Sequence, residues 1–110
     1  MKLLLSAKER LSLKILFPAK GDLLQQTLVK EISERTDVKK EEMEKIGIEL
    51  TTVGYHWEKE KEAEVEKADK EFNFTETEAR FLKEQVKRLD SEKAITQQIL
   101  DLCLKIQDAK

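Results

Sequence analysis

The stretch from Ile48 to Thr75 constrains the fold more than any other part of this chain. One end reads Ile-Glu-Leu-Thr-Thr-Val-Gly-Tyr-His-Trp from Ile48 to Trp57, and the other reads Lys-Glu-Phe-Asn-Phe-Thr from Lys70 to Thr75. Both alternate apolar and polar residues, the period of a half-buried strand, whereas the flanking segments repeat apolar residues every three or four positions, as helices do. A chain with helical ends and a strand-like middle is expected to be α+β. The expected architecture is four to five helices packed on a small antiparallel sheet of two to three strands, supplied by the central stretch, with a helical hairpin at the C-terminus. At 110 residues the chain is expected to form a single domain, 1–110.

The elements follow from local signals. Ser6-Ala7-Lys8-Glu9 is a capping box, in which a hydroxyl and a carboxylate satisfy the free N–H groups of a helix start. It opens a helix at about 6–17 with a stripe of Leu11, Ile15 and Leu16, widened by Leu13 and Phe17, and ended by Pro18. Leu3 to Leu5 reads either as a short strand or as a lead-in. Asp22 caps a helix at about 22–35 whose expected inner face is Leu24, Leu28 and Ile32 beside Val29, with Glu31, Glu34 and Arg35 in water. Thr36-Asp37 breaks that pattern and is expected to cap a helix at about 38–46 containing Val38, Met43 and Ile46. Gly47 stands where a C-terminal glycine can turn left-handed.

Strands are expected at about 48–52, 54–58 and 70–75. Ile48, Leu50 and Thr52 have one parity and Val53, Tyr55 and Trp57 the other, so a bulge or tight turn must intervene near Gly54. The excursion at 58–71 is almost all Glu and Lys, broken by Ala63, Val65 and Ala68, and reads equally as a hairpin or a polar helix. Thr75-Glu76-Thr77-Glu78 is a second capping box, with Phe74 at the staple position, for a helix at about 75–90 along Ala79, Leu82, Val86 and Leu89. After Asp90-Ser91-Glu92-Lys93, Thr96 caps a helix at about 96–108, with Ile95 and Leu100 as staple and Ile99, Leu102, Cys103 and Ile106 inside.

Charge and composition narrow the function classes. Lys and Arg number 21 and Asp and Glu 23, a net charge of −2. Interleaved charges at this density make solvated faces and argue against nucleic acid as a partner. The lone Cys103 excludes an internal disulfide and a cysteine metal cluster. The apolar run Leu3 to Leu5 is short of an export signal, and no run approaches a membrane span, so a cytoplasmic chain without membrane contact is expected. His56 is the only histidine and the three glycines are isolated, which leaves neither a histidine-based triad with its nucleophile elbow nor a phosphate-cradling loop. No catalytic residue, no cofactor and no metal site is expected, and the chain reads as a non-enzyme.

Three binding readings remain. Tyr55, His56 and Trp57 form a candidate partner-binding patch beside a charged rim, for another protein or for self-association into a homo-oligomer. The run Leu28 to Ile46, followed by a strand pair, has the cadence of a winged helix, in which Lys39, Lys40 and Lys45 would meet DNA. Glu41, Glu42 and Glu44 offset those lysines. The third reading is a small-molecule-binding or sequestering protein with a pocket near Tyr55 and Trp57.

The segment Leu11 to Ile32, with Leu-Lys-Ile-Leu-Phe-Pro-Ala-Lys-Gly-Asp at its centre, resembles the start of a group of small bacteriophage and prophage proteins. That group carries an Ile-Leu-Pro-like segment followed by Gly and Asn or Asp. Gly54 with Trp57, Phe72 to Phe74, and Ile95-Thr96 are similar in order and placement. Here Phe17 intervenes before Pro18, and Asp22 stands in place of the commoner Asn. The resemblance implies a viral or prophage origin and a host cytoplasm, and carries over neither an activity nor a functional residue.

Overall fold

The computed structural model describes all 110 residues. In chain order the elements are β1 (Lys2–Leu5), α1 (Ala7–Ser12), a 3-10 turn (Leu13–Leu16), α2 (Leu23–Thr36), α3 (Lys40–Ile46), β2 (Ile48–Thr51) and β3 (Gly54–Trp57). A second 3-10 turn (Lys59–Lys61), α4 (Glu62–Val65), β4 (Lys70–Asn73), α5 (Glu76–Ser91) and α6 (Gln97–Asp108) complete it. The architecture is α+β, with antiparallel strand pairs and a C-terminal helical hairpin.

Local chemistry sets most boundaries. The Ser6 hydroxyl accepts from the Glu9 N–H and the Glu9 carboxylate accepts from the Ser6 N–H, starting α1. The same reciprocal pair joins Asp22 to Gln25 at α2 and Thr75 to Glu78 at α5. Thr96 occupies the cap of α6, but its hydroxyl makes no capping bond. Gly47, at φ +96°, closes α3 in the left-handed region that side chains disfavour.

The strands pair differently from the expectation of one sheet built by the central stretch. β4 pairs with β1, Leu3 facing Phe72 and Leu5 facing Lys70, while β2 pairs only with β3, so there are two separate two-stranded sheets. The partner of β4 is therefore the N-terminal Leu-rich segment, which forms a strand rather than a lead-in. Leu3, Leu5 and Phe72 share one buried face, and that shared burial fixes the register.

Three helical expectations are corrected as well. The first helix tightens into a 3-10 turn at Leu13, which brings Leu13 and Leu16, three apart, into the core and leaves Ile15 46% exposed. The inner face of α2 is Leu28, Ile32 and Thr36, and Leu24 in its first turn is 61% exposed because that turn overhangs the core. Asp37 ends α2 instead of capping α3, whose cap is Lys39, and the buried Val38 lies in the link between them. The excursion at 58–71 is not a hairpin, and the polar-helix alternative holds only from Lys59 to Val65. That stretch is a 3-10 turn and the single-turn α4, tied down by the fully buried Val65.

Two apolar clusters result. The main core joins β1, β4, the first 3-10 turn, α2, α5 and α6 through residues such as Leu5, Leu16, Ile32, Leu82 and Ile106. Ile99, Leu102, Cys103 and Ile106 are all buried on α6, as their spacing predicts. The smaller core contains Ala7, Val38, Ile48 and Val65, with Leu11, Met43, Ile46 and Trp57 packed against it. The β2–β3 hairpin is rooted in this smaller core.

Candidate functional site

The hairpin turns through Thr52 and Val53, with Thr51 facing Gly54, Leu50 facing Tyr55, Glu49 facing His56 and Ile48 facing Trp57. A two-residue turn reverses the count, so residues of opposite parity meet on one face. Gly54 takes φ +121°, and the Thr51 hydroxyl donates to the Gly54 carbonyl at 2.8 Å while accepting from the Val53 N–H. Ile48, Leu50, Tyr55 and Trp57 thus form one apolar stripe, with Glu49 and His56 on the other face.

The stripe divides into a root and a tip. Ile48 is buried and Trp57 half-buried against the smaller core, whereas Leu50 is 66% exposed, Tyr55 37% and Val53, at the turn, 95%. The structure therefore separates the triplet singled out in the sequence. Tyr55 belongs to the exposed stripe, Trp57 mainly to its root, and His56 points to the opposite face. Leu50 and Val53, which sequence reasoning did not select, complete the exposed surface. The signal for Leu50 was present, since a two-residue turn after Thr51 places it opposite Tyr55.

The lysines of the DNA-binding reading lie together on one short element. Lys39 caps α3, Lys40 begins it and Lys45 sits in its last turn, all exposed. α2, a three-residue link, α3 and then the hairpin follow in the order a winged helix requires. Yet α3 has only seven residues, and Glu41 and Glu44 are exposed among its lysines.

The strongest electrostatics in the molecule are structural. Arg10, with a side chain only 4% exposed, donates from Nε to the Thr36 carbonyl at 2.9 Å and from Nη2 to the Asp37 carbonyl at 2.7 Å. It also holds both carboxylate oxygens of Glu42 and lies 5.3 Å from the centre of the Phe72 ring. Arg35 holds both oxygens of the buried Glu78 at 2.9 and 2.6 Å and stacks over Phe74 at 5.9 Å. Hydrogen bonding by Arg10 holds the Glu42 carboxyl below its ordinary value, and hydrogen bonding by Arg35 does the same for Glu78. Burial opposes both shifts without overcoming them.

A depressed carboxyl binds protons more readily when unfolded, so stability rises with pH through this range. The contribution is complete above the ordinary carboxylate value of 4.5 and is lost as pH falls through the lower folded values. The thermal midpoint is expected to be nearly flat from about pH 8 to 5.5 and to fall steeply below about 4.5. Scanning calorimetry across that range checks it, and a shallower fall at low pH in Glu42→Gln would assign that part of the loss to the Arg10–Glu42 pair, with the rest left to Glu78.

No group of three or more His, Cys, Asp or Glu side chains converges to hold a metal ion. Cys103 is buried, and that burial pushes its thiol up from the usual range, away from reactivity. None of the five principal cavities is lined by Tyr55 or Trp57. The most apolar, about 220 Å³ between α5 and α6, is bordered by Lys83, Lys87, Ile95, Leu100 and Leu104. No helix is long and apolar enough to cross a membrane. No family model, no curated protein and no solved structure matches the chain.

Proposed function

We propose that this chain is a non-enzymatic phage or prophage accessory protein that acts in the host cytoplasm through protein–protein contacts made by the β2–β3 hairpin. The observation that carries the contact surface is the exposed stripe of Leu50, Val53 and Tyr55, held out on a hairpin whose root alone is buried. An exposed apolar cluster rimmed by charge is the usual form of a contact surface, and an aromatic ring at its edge supplies area with little conformational freedom to lose. The likeness of Leu13 to Asp22 to a phage group supports the origin and says nothing about the surface.

The winged-helix reading is the second, and the order α2, link, α3, hairpin favours it. The acidic residues interspersed on α3 weigh against it, because a helix in the major groove must face phosphates on both sides. One comparison separates the two. The double variant Leu50→Lys/Val53→Lys should keep the wild-type melting curve and lose at least about tenfold in partner affinity, a change of roughly 1.4 kcal/mol or more. Retained affinity in that variant contradicts the hairpin as the surface. Steeply salt-dependent DNA binding, abolished by Lys40→Glu/Lys45→Glu, would install the second reading instead.

A further inference from the structure

The two sheets treat their edges differently, and the difference points to an occupant for the hairpin. In an antiparallel pair, alternate residues direct N–H and C=O either to the partner strand or outward. Met1 and Phe74 exchange backbone bonds, so the outward residues of the β1–β4 sheet are Lys2 and Leu4 on one edge and Glu71 and Asn73 on the other. Each edge is closed by a long cation. Lys105 Nζ donates to the Leu4 carbonyl at 2.7 Å, and Arg35 Nη1 donates to the Asn73 carbonyl at 3.0 Å. A charged side chain laid along an edge is a common way to stop a second chain from pairing there.

The β2–β3 sheet has no such closure. Thr51 and Gly54 flank the two-residue turn as a hydrogen-bonded pair, so Ile48 and Leu50 on β2, and Tyr55 and Trp57 on β3, direct their backbone groups outward. No side chain bonds to the backbone of Tyr55, His56 or Trp57; the side-chain bonds of this hairpin are confined to its turn. The open backbone groups of β3 thus belong to the residues that build the apolar stripe.

We propose that β3 pairs antiparallel with β3 of a second copy of this chain, making a four-stranded sheet across a two-fold axis at His56. This rests on the reading of the hairpin as a contact surface and names its partner. Charge selects the edge. A two-fold on β2 centred between its outward residues sets Glu49 against Glu49, whereas β3 carries no carboxylate and no ammonium from Gly54 to Trp57. Hydrogen bonding selects the register. Centred on His56, Tyr55 of each copy exchanges bonds with Trp57 of the other, four bonds in all. Centred on Tyr55, only two form, because Trp57 then meets Val53 in the turn. The chosen register also extends the apolar face, since Leu50 and Tyr55 of both copies lie on the same side of the joined sheet.

The register makes a covalent test available. His56 of the two copies would form a non-hydrogen-bonded pair, whose Cα atoms lie about 4.5 Å apart, within disulfide reach. The two copies of Glu49 would be about three strand spacings apart, roughly 14 Å, which is out of reach. His56→Cys should therefore form an interchain disulfide under mild oxidation, while Glu49→Cys, also at an exposed position, stays reduced, and the buried Cys103 contributes to neither.

Sedimentation of the wild type from low micromolar to near millimolar concentration should show a reversible monomer–dimer equilibrium. Tyr55→Pro, which removes an outward N–H without touching a bond inside the hairpin, should weaken it by at least about tenfold. Trp57 fluorescence reports whether the hairpin survives that change, and His56→Cys provides the same test should it not. A wild type that stays monomeric at near-millimolar concentration overturns the dimer, as does a dimer in which His56→Cys fails to cross-link. The reading of the hairpin as a contact surface survives such a result if Leu50→Lys/Val53→Lys still releases a bound heterologous protein, and falls with it if nothing is released.

Discussion

Arg10→Ala is expected to lower folding stability by roughly 3–5 kcal/mol, the usual penalty for breaking a buried charge pair from one side. Arg10 is the only side chain that ties α1 at once to the end of α2, to α3 and to Phe72 of β4. Its loss leaves two carbonyls, of Thr36 and Asp37, without their donor and leaves Glu42 facing an emptied site. Arg10→Met, which restores volume without charge, should recover part of the packing and leave the carbonyls unpaired. Urea denaturation measures both. A change below about 1 kcal/mol in Arg10→Ala would mean that water replaces the guanidinium without penalty.

The second large effect separates two positions that are equivalent by sequence. Ile32 and Leu24 lie eight residues apart on α2, and both read as inner-face residues at helical spacing. Ile32 is fully buried, so Ile32→Ala should cost about 2–5 kcal/mol through lost transfer energy and the cavity left behind. Leu24 is 61% exposed, so Leu24→Ala should fall within about 0.5 kcal/mol of wild type. Equal destabilisation in the two variants would place the first turn of α2 against the core, contrary to the structure.

The same pair shows what was legible in the chain. Periodicity marks the stripe of a helix but not how far along it the neighbouring elements reach, so Ile32 and Leu24 look alike until the core is in place. Capping boxes are local chemistry, and Ser6–Glu9 and Thr75–Glu78 form as their spacing predicts. The inner face of α6 was readable because Ile99, Leu102, Cys103 and Ile106 fill a full stripe facing one helix partner and the core. Strand pairing was not, because β1 and β4 are joined across most of the chain and no local signal names a distant partner. Arg10 and Glu78 were hidden for a related reason: in a chain with 40% charged residues, nothing local distinguishes a buried ion pair from a solvated one.

For the candidate surface, the turn near Gly54 was legible, whereas the pairing it imposes depends on the number of residues in the turn. Once Thr52 and Val53 make a two-residue turn, Leu50 must join Tyr55, and His56 must leave them. How much of that stripe stays exposed depends on where the smaller core ends, which only the packing of Val38, Ile46 and Val65 decides.

Amide hydrogen exchange, compared between the dilute protein and the protein in its associated state, addresses the hairpin most directly. In the associated state, slowed exchange confined to the hairpin, strongest at Tyr55 and Trp57, whose N–H groups point outward from β3, is the result expected of a contact surface there. Protection gained instead along α3, or across the groove between α5 and α6, with the hairpin amides unchanged, would contradict it.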